Sequence, residues 1–494
     1  MRKNILILSA LFICHLSLAQ SSDLEKAKAT VEKEEIKSHI FYLASDELRG
    51  REVGTPGIEK AADYIATEFK RYGVKPVPGA DNGYFQQVLL KQASLPNKIK
   101  VTISEKDFSG QQVAIFNAEN IEKETQAVYL NYGMSNDYEG TDVKGKIILA
   151  KAGAPDQTDQ GSLFKLSLQK RGFAQAAGAI ALIEVHDYDA QYWSSVKGYL
   201  SHDKMTLRDK NEPVGGPVHL WVDSNHNLLD ELEKGTEVST GLVISGIDNN
   251  KLTSRNVVGI VEGTDPKLKN EYIIYSAHYD HVGVGKPNAE LDSIFNGARD
   301  NAVGTVTVLS AAENIAKYPT KRSALFILFT AEEKGLLGSK WYVEHPLVPL
   351  KQAVYCFNSD NASYNDTTKA TIVGLERTTA SQNIKDACSA IGLTAIDDPA
   401  PEQNLFDRSD NVHFAAKGIP APTFSLGFTA FDKELFKYYH QVTDNPETLN
   451  YDYLLKFFRA YVLSCRKIAN DEETPVWVEG DKYYEAGQEL YGDR

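Results

Sequence analysis

Short polar segments containing histidine, aspartate or glutamate recur in the second half of this 494-residue sequence, and several of them directly follow an apolar run. Imidazole nitrogens and carboxylate oxygens are donors that zinc accepts. Each segment alone is a weak signal, because an isolated histidine or acidic pair is usually a solvated or core-packed group. The segments that could supply ligands are His278-Tyr279-Asp280, Asp300 within residues 297–304, Glu332-Glu333, Asp360 and Tyr439-His440.

The pair Glu332-Glu333 carries the strongest single argument for a metal. It comes immediately after the apolar run 325–329, so both carboxylates are expected at the mouth of a buried strand. Burying so much negative charge is unfavourable unless a cation neutralises it. The sequence contains no CxxC pair, so His, Asp and Glu side chains would have to bind the metal. A site for two zinc ions would also require a carboxylate that bridges them.

The elements that must position these segments are indicated by the apolar pattern. Continuous apolar runs at 272–277, 324–330, 353–357 and 421–426 predict buried strands, and the run 303–318 predicts a helix. Buried strands that alternate with helices predict an open, mixed α/β sheet covered by helices on both faces. Ligands of such sheets gather at the carboxyl ends of strands, where the polar segments occur.

The rest of the sequence predicts three further regions. Helical periodicity near the start predicts helices over residues 31–72. Residues 125–250 combine short strands with a helix and predict a separate β-rich insert without a zinc constellation of its own. Residues 470–494 are acidic and tyrosine-rich without clear periodicity, and the sequence assigns them no role.

The N-terminal residues 1–19 have the pattern of a cleaved export signal. Arg2 and Lys3 precede a short apolar run, and Ser17-Leu18-Ala19 gives the small-x-small site that signal peptidase accepts. The run is shorter than the roughly 20 residues that a membrane span needs. The mature chain is therefore expected in the periplasm or outside the cell, without a membrane segment.

Composition limits the partners of the chain. The formal net charge is −14, which is expected to repel nucleic acid and anionic membrane surfaces. Cys388 and Cys465 could pair in an oxidising compartment, but spacing alone leaves this open. The oligomeric state is also left open.

Taken together and in this order, the motifs resemble those of the co-catalytic dizinc aminopeptidase and glutamate carboxypeptidase family, of the bacterial leucyl aminopeptidase and aminopeptidase Y type. Residues 125–245 resemble the protease-associated domain that is inserted in several peptidase families. The resemblance implies a phosphorylase/hydrolase-like α/β fold in which residues 31–95 and 252–468 form one discontinuous domain. It also implies two Zn²⁺ ions and a peptide substrate cleaved at its amino end.

The resemblance also implies a role for each motif residue. The implied metal ligands are His278, Asp300 as the bridge, Glu333, Asp360 and His440. The implied catalytic residues are Glu332 as general base and Tyr439 as a hydrogen-bond donor to the oxyanion. Asp280 is expected to orient His278 by accepting a hydrogen bond from its ring.

Two other functions stay open at this point. A dizinc carboxypeptidase or dipeptidase acting on acidic peptides would need arginines for the substrate carboxylates, and Arg299 and Arg408 are the candidates. A non-catalytic binding ectodomain of the same superfamily would require that ligands had been lost. The sequence leaves the preferred N-terminal side chain, the physiological substrate and the identity of the native metal undecided.

Overall fold

The computed structural model describes residues 23–81, 83–155, 160–187, 190–208, 216–224 and 228–492. The export signal predicted at residues 1–19 lies outside these residues. The described chain forms two compact units. The first unit contains the chain up to Leu89 and from Thr253 onward, and the second unit is Leu90–Leu252.

The strands are numbered β1 to β19 along the described chain. They span Phe85–Ala93, Lys98–Ile103, Lys106–Ser109, Val113–Asn117, Ile121–Tyr129, Ile147–Lys151, Ala181–His186, Lys204–Leu207, Val218–Asp223, Glu237–Ser245, Asn249–Val261, Tyr272–His278, Gly283–Val284, Ile294–Phe295, Ser323–Phe329, Ala353–Ser359, Lys369–Val373, Thr394–Ile396 and Thr423–Leu426.

The α-helices are numbered α1 to α11, and residues 23–28 are also helical. None of the helices in the described part of the chain has both the length and the apolar character needed to cross a membrane. The numbered helices span Lys33–Leu43, Pro56–Tyr72, Gln160–Ala176, Ala190–Leu200, Gly304–Lys317, Leu337–Glu344, Ser381–Ile391, Asn411–Ala416, Lys433–Phe436, Tyr451–Asn470 and Tyr484–Tyr491.

The first unit is built on a mixed sheet with the strand order β18-β17-β19-β16-β12-β15-β11-β1. Strand β12 pairs in parallel with β15 and β16, and β16 pairs in parallel with β19. The carboxyl ends of these four strands therefore meet at one edge. The register places His278, the last residue of β12, opposite Phe329, the last residue of β15.

Helices cover both faces of this sheet. Leu325 of β15 packs in the same core as Tyr342 of α6. The next residue, Phe326, contacts Phe69 of α2, with ring centroids 5.9 Å apart. Because successive strand side chains point to opposite faces, α6 and α2 lie on opposite faces. The fold class predicted from the sequence is confirmed.

The second unit contains a separate sheet with the strand order β3-β2-β10-β5-β6-β7-β9-β4. Strands β5, β6, β7 and β9 are parallel neighbours. Residues 90–124, which the sequence pattern left outside the insert, belong to this unit. The likeness to the protease-associated domain stays a prediction.

A buried ion pair holds helix α3 to strand β7 in the second unit. The Lys170 ammonium lies 2.6 Å from a Glu184 carboxylate oxygen, and neither side chain is exposed to solvent. The other Glu184 oxygen lies 2.8 Å from His219 Nε2 and accepts a hydrogen bond from Trp221. Burial raises the pKa of Glu184, but Lys170 and His219 outweigh this effect and hold the pKa at about 2. Glu184 is therefore charged, and the Lys170 ammonium neutralises this buried charge.

The cysteines of the described chain are free thiols. Cys356, Cys388 and Cys465 are all buried and unpaired. Burial raises the pKa of the Cys388 thiol to about 12, so this side chain stays protonated and unreactive. The Cys388–Cys465 disulfide that the sequence left open is not formed.

Replacing Lys170 by Met is expected to lower the free energy of unfolding of the second unit by about 3 kcal/mol, because the charge of Glu184 would stay buried without its cation. Urea denaturation of the full chain measures this change. Lys165→Met, on the exposed side of the same helix, is the matched control and should be close to neutral. Equal stability of Lys170→Met and the control would contradict the assigned role.

Candidate metal centre

The polar segments singled out in the sequence meet at the carboxyl edge of the first unit's sheet. His278 ends β12, Asp360 directly follows β16, and Glu332 follows β15 after a short turn. Asp300 precedes α5, and the peptide bond between Asp300 and Asn301 is cis. All the predicted metal ligands and both predicted catalytic residues line one cavity: His278, Asp300, Glu332, Glu333, Asp360, Tyr439 and His440.

The Asp300 carboxylate lies at the centre of this cluster. Its Oδ1 atom is 3.3 Å from Nε2 of His278, and its Oδ2 atom is 3.1 Å from Nε2 of His440. The side chain is only 6% exposed. The two oxygens of one carboxylate therefore face two different imidazoles, one on each side.

Each imidazole also faces a second carboxylate. Asp360 Oδ1 lies 3.3 Å from the same nitrogen of His278, and Glu333 Oε2 lies 3.2 Å from the same nitrogen of His440. One ring N–H cannot donate a linear hydrogen bond to two acceptors. Tetrahedral zinc with ligands at about 2.0–2.1 Å separates those ligands by about 3.3 Å. The observed spacing therefore fits donors arranged around a metal.

Asp280 orients the neighbouring groups in a different way from the one expected. The Nδ1 atom of His278 lies 3.2 Å from the main-chain oxygen of Asp280, whereas the Asp280 carboxylate is 3.7 Å away. That carboxylate instead accepts hydrogen bonds from the backbone N–H groups of Glu332 and Glu333, at 3.1 and 3.3 Å. Asp280 thus fixes the ring of His278 through its carbonyl and fixes the glutamate turn through its side chain.

His281 is a member of the cluster that the sequence reasoning missed. Its Nδ1 atom lies 2.8 Å from Oε1 of Glu333, and its side chain is fully buried. His281, Asp300, Glu333 and His440 present donor atoms within 4.8 Å of one another. Because His281 follows Asp280 directly, its closeness to the motif was the available signal. Its contact leaves Oε2 of Glu333 directed at His440.

Arg51 is a buried cation beneath the cluster that was also missed. Its guanidinium donates hydrogen bonds to the carbonyls of Tyr279 at 2.8 Å, Asn296 at 2.7 Å and Gly297 at 3.0 Å. Burial lowers the pKa of Arg51 to about 10, so the group remains charged at neutral pH. The same side chain thus holds the loop that follows His278 and the loop that precedes Asp300.

Arg299 lies away from the cavity. Its guanidinium donates to Asp444 at 2.9 Å and lies 3.6 Å from the centre of the Tyr438 ring. The side chain is 2% exposed and does not line the cavity, whereas Arg408 does. Of the two arginines considered for substrate carboxylates, Arg408 alone reaches the cavity.

The charges of the cluster favour a bound cation. Burial raises the pKa of Glu333, but contacts with His281 and His440 outweigh burial and lower it to about 2. Burial lowers the pKa of His440, but Asp300 and Glu333 raise it to about 10. The carboxylates thus draw protons onto the imidazole. A bound metal ion would supply this positive charge and replace those protons.

Glu332 differs from the other carboxylates. It lies near His278 and Asp360, and within the described chain its side chain accepts no hydrogen bond. Burial, outweighing the nearby His278, raises the pKa of Glu332 well above its ordinary value. A carboxylate with a raised pKa that faces a cavity is suited to accept and return a proton.

Tyr439 and an apolar wall complete the cavity. The Tyr439 ring stacks on His440, with centroids 4.2 Å apart. Burial raises the pKa of Tyr439, with a further contribution from Asp300 and Glu333, so the phenol stays a hydrogen-bond donor. The apolar part of the lining consists of Ala362, Val373, Leu405, Phe428, Phe431 and Leu435.

The chain is similar to known peptidases. The family model described as peptidase family M28 matches residues 256–463. The "probable leucine aminopeptidase 2" of Aspergillus oryzae is 23% identical over 458 residues, which cover 86% of this chain and 81% of that protein. Aminopeptidase YwaD of Bacillus subtilis is 26% identical over 418 residues, covering 82% and 78%.

A solved structure supports the same fold. The aminopeptidase from Aneurinibacillus sp. strain AM-1 has a TM-score of 0.61 to this chain at 22% sequence identity. The alignment covers 91% of this chain and 97% of that one. The likeness therefore extends over both units.

Replacing Asp300 by Asn is expected to reduce the metal content of the protein more than Asp360→Asn or Glu333→Gln does, because Asp300 faces both imidazoles. Elemental analysis after dialysis against a weak chelator measures the bound metal. Asp452→Asn, at a side chain that is 84% exposed, is the matched control and should retain all of it. A metal content of Asp300→Asn equal to that of Asp360→Asn would contradict a shared ligand.

Proposed function

We propose, from its membership of peptidase family M28, that this chain is an aminopeptidase that binds two zinc ions through a shared Asp300 carboxylate. The family predicted from the sequence motifs is confirmed, and with it metal-dependent hydrolysis of peptides at the amino end. The observation that carries the two-ion proposal is the division of the Asp300 oxygens between His278 and His440.

The donor set fits two ions. His278, Asp360 and one oxygen of Asp300 would hold the first, and His440, Glu333 and the other oxygen of Asp300 would hold the second. Nitrogen and carboxylate donors of this kind suit zinc. Bound zinc would lower the pKa of water and polarise the scissile carbonyl.

Glu332 would carry the proton during hydrolysis. Its side chain faces the cavity beside His278 and Asp360 without a hydrogen-bond partner in the described chain. It would accept a proton from the attacking water and deliver it to the leaving amine. Tyr439, which stays protonated, would donate a hydrogen bond to the oxygen of the carbonyl under attack.

The cavity favours the amino end of a peptide. Its metal-binding side is lined by four carboxylates, which attract the α-ammonium of a substrate. The apolar wall on the other side can bury the first side chain.

Arg299 is held by Asp444, so a carboxypeptidase that uses both Arg299 and Arg408 is not favoured. The motif residues lie together in one cavity, which gives no support to a non-catalytic ectodomain.

We also propose that the enzyme acts outside the cytoplasm and that the second unit is a non-catalytic, protease-associated-like insert. Residues 1–19 support export through their charged, apolar and small-residue pattern. The second unit supports a structural role because His219, one of its buried histidines, is engaged with Glu184 rather than with a donor cluster. Among the described residues, the metal-donor groups belong to the first unit.

Glu332→Gln is expected to lower turnover about 10²–10⁴-fold, because the amide cannot accept the proton. The variant should retain its zinc, since Glu332 is not assigned as a ligand. Turnover of a leucyl anilide and zinc content measured on the same preparation separate the two effects. Glu333→Gln is the matched control, at the adjacent position, and should lose zinc. Loss of zinc in Glu332→Gln, or unchanged turnover, would refute the assigned role.

A peptide with a free amino terminus is expected to be cleaved at least about 100-fold faster than its N-acetylated form. Acetylation removes the ammonium that positions the first peptide bond, and positioning of this kind contributes several kcal/mol. Chromatographic assay of the two forms of one short peptide measures the ratio. Similar rates would show that the enzyme does not recognise the amino end.

A further inference from the structure

The C-terminal segment, here defined as residues 474–491, lies beyond the part of the chain that matches the peptidase family. Trp477 is buried in the same core cluster as Val373 and Phe406, and Tyr483 packs against that cluster. Val373 itself lines the cavity. The C-terminal segment is therefore an integral layer of the first unit, close behind the cavity wall.

The cavity wall next to this segment is the short 3₁₀ turn Leu405–Arg408. Leu405 and Arg408 line the cavity, whereas Phe406 and Asp407 contact the C-terminal segment. The turn thus presents two residues to the substrate and two residues to the C-terminal segment. Contacts with the second pair can therefore position the first pair.

Phe406 is enclosed by side chains of the segment and its neighbours. Its ring lies 6.1 Å from that of Trp477 and 5.8 Å from that of Tyr483. The Arg377 guanidinium lies 3.8 Å from the centre of the Phe406 ring and forms two hydrogen bonds to Asp481, at 2.5 and 2.9 Å. The C-terminal segment thereby fixes the turn from behind.

Asp407 is engaged by the next two residues of the segment. Lys482 lies 2.5 and 2.7 Å from its two oxygens, and the Tyr483 hydroxyl donates to it at 3.0 Å. Its neighbour Arg408 is exposed and forms no hydrogen bond or ion pair within the described residues. Asn404 also donates a hydrogen bond to Asp407, at 3.1 Å. Because Lys482, Tyr483 and Asn404 all bind the Asp407 carboxylate, it does not pair with Arg408 and leaves Arg408 available to a substrate.

We propose that the C-terminal segment sets the substrate preference of the cavity by keeping Asp407 away from Arg408, which then binds a carboxylate of the substrate. The proposal rests on the aminopeptidase function argued above. Arg408 is the specificity residue, and Lys482 and Tyr483 are positioning residues that act through Asp407. The carboxylate is either the side chain of an acidic first residue or the terminal carboxylate of a dipeptide.

The test compares kcat/KM within two pairs of substrates that differ in one carboxylate. The first pair is glutamyl and glutaminyl p-nitroanilide, and the second is Leu-Ala and Leu-Ala amide. The quantity compared is kcat/KM for the charged substrate divided by kcat/KM for the neutral one. Arg408→Gln is expected to lower this ratio about tenfold, mainly through KM, in the pair whose carboxylate Arg408 binds. The pair that responds identifies the source of the carboxylate.

Lys482→Met/Tyr483→Phe should lower the same ratio about threefold, since Asp407 keeps only its hydrogen bond from Asn404 and can then pair with Arg408. Adding Asp407→Asn to this variant should restore the ratio, which a merely structural effect would not do. Asn383→Ala is the matched control, because Asn383 donates to Asp471 just before the segment at 2.9 Å without touching the turn. It should leave the ratio unchanged.

Two outcomes would overturn the proposal. If Arg408→Gln changes the ratio in neither substrate pair, Arg408 binds no substrate carboxylate. A ratio that falls in the Lys482/Tyr483 variant but is not restored by Asp407→Asn would show that the segment acts by another route. Zinc content and activity on leucyl p-nitroanilide are measured in parallel. Absence of that activity in the wild-type protein would be a failure of the aminopeptidase function, separate from this proposal.

Discussion

The sharing of one buried carboxylate between two imidazoles is the interaction on which this molecule's organisation depends. Asp300 faces His278 with one oxygen and His440 with the other, and each imidazole faces a further carboxylate. So many acidic groups in a buried cluster repel one another unless positive charge lies between them. The spacing of the donors and the proton affinity of His440 both reflect this requirement, which two metal ions would meet.

The surrounding fold supplies the rigidity that such a cluster needs. Parallel pairing of β12 with β15 and β16 brings three ligand-bearing strand ends to one edge. Arg51 donates hydrogen bonds to carbonyls of the loops on either side. The Asp444 carboxylate accepts hydrogen bonds from the backbone N–H groups of Arg299 and Asp300. These contacts position the ligands before any ion binds, which lowers the cost of assembling the site.

The predictable part of the site is the part determined by local sequence. Apolar runs end where Glu332 and Asp360 begin, so both the strands and the edge at which the ligands meet could be predicted. The direction of the Arg299 side chain could not be predicted, because it depends on Asp444, 145 residues away. His281 was missed although it adjoins the motif, since its contact with Glu333 arises only when two strand ends come together. The packing of residues 474–491 was invisible for the same reason, because their aromatic residues have no periodicity and meet partners such as Phe406 only in the folded chain.

A crystal structure of the zinc-loaded protein, with anomalous scattering recorded at the zinc edge, tests the shared-carboxylate account most directly. The account predicts two anomalous peaks about 3.5–4 Å apart, each about 2.0–2.2 Å from a different oxygen of Asp300. One peak should adjoin His278 and Asp360, and the other should adjoin His440 and Glu333. A single peak, or two peaks of which one lies beyond the reach of Asp300, would contradict the account.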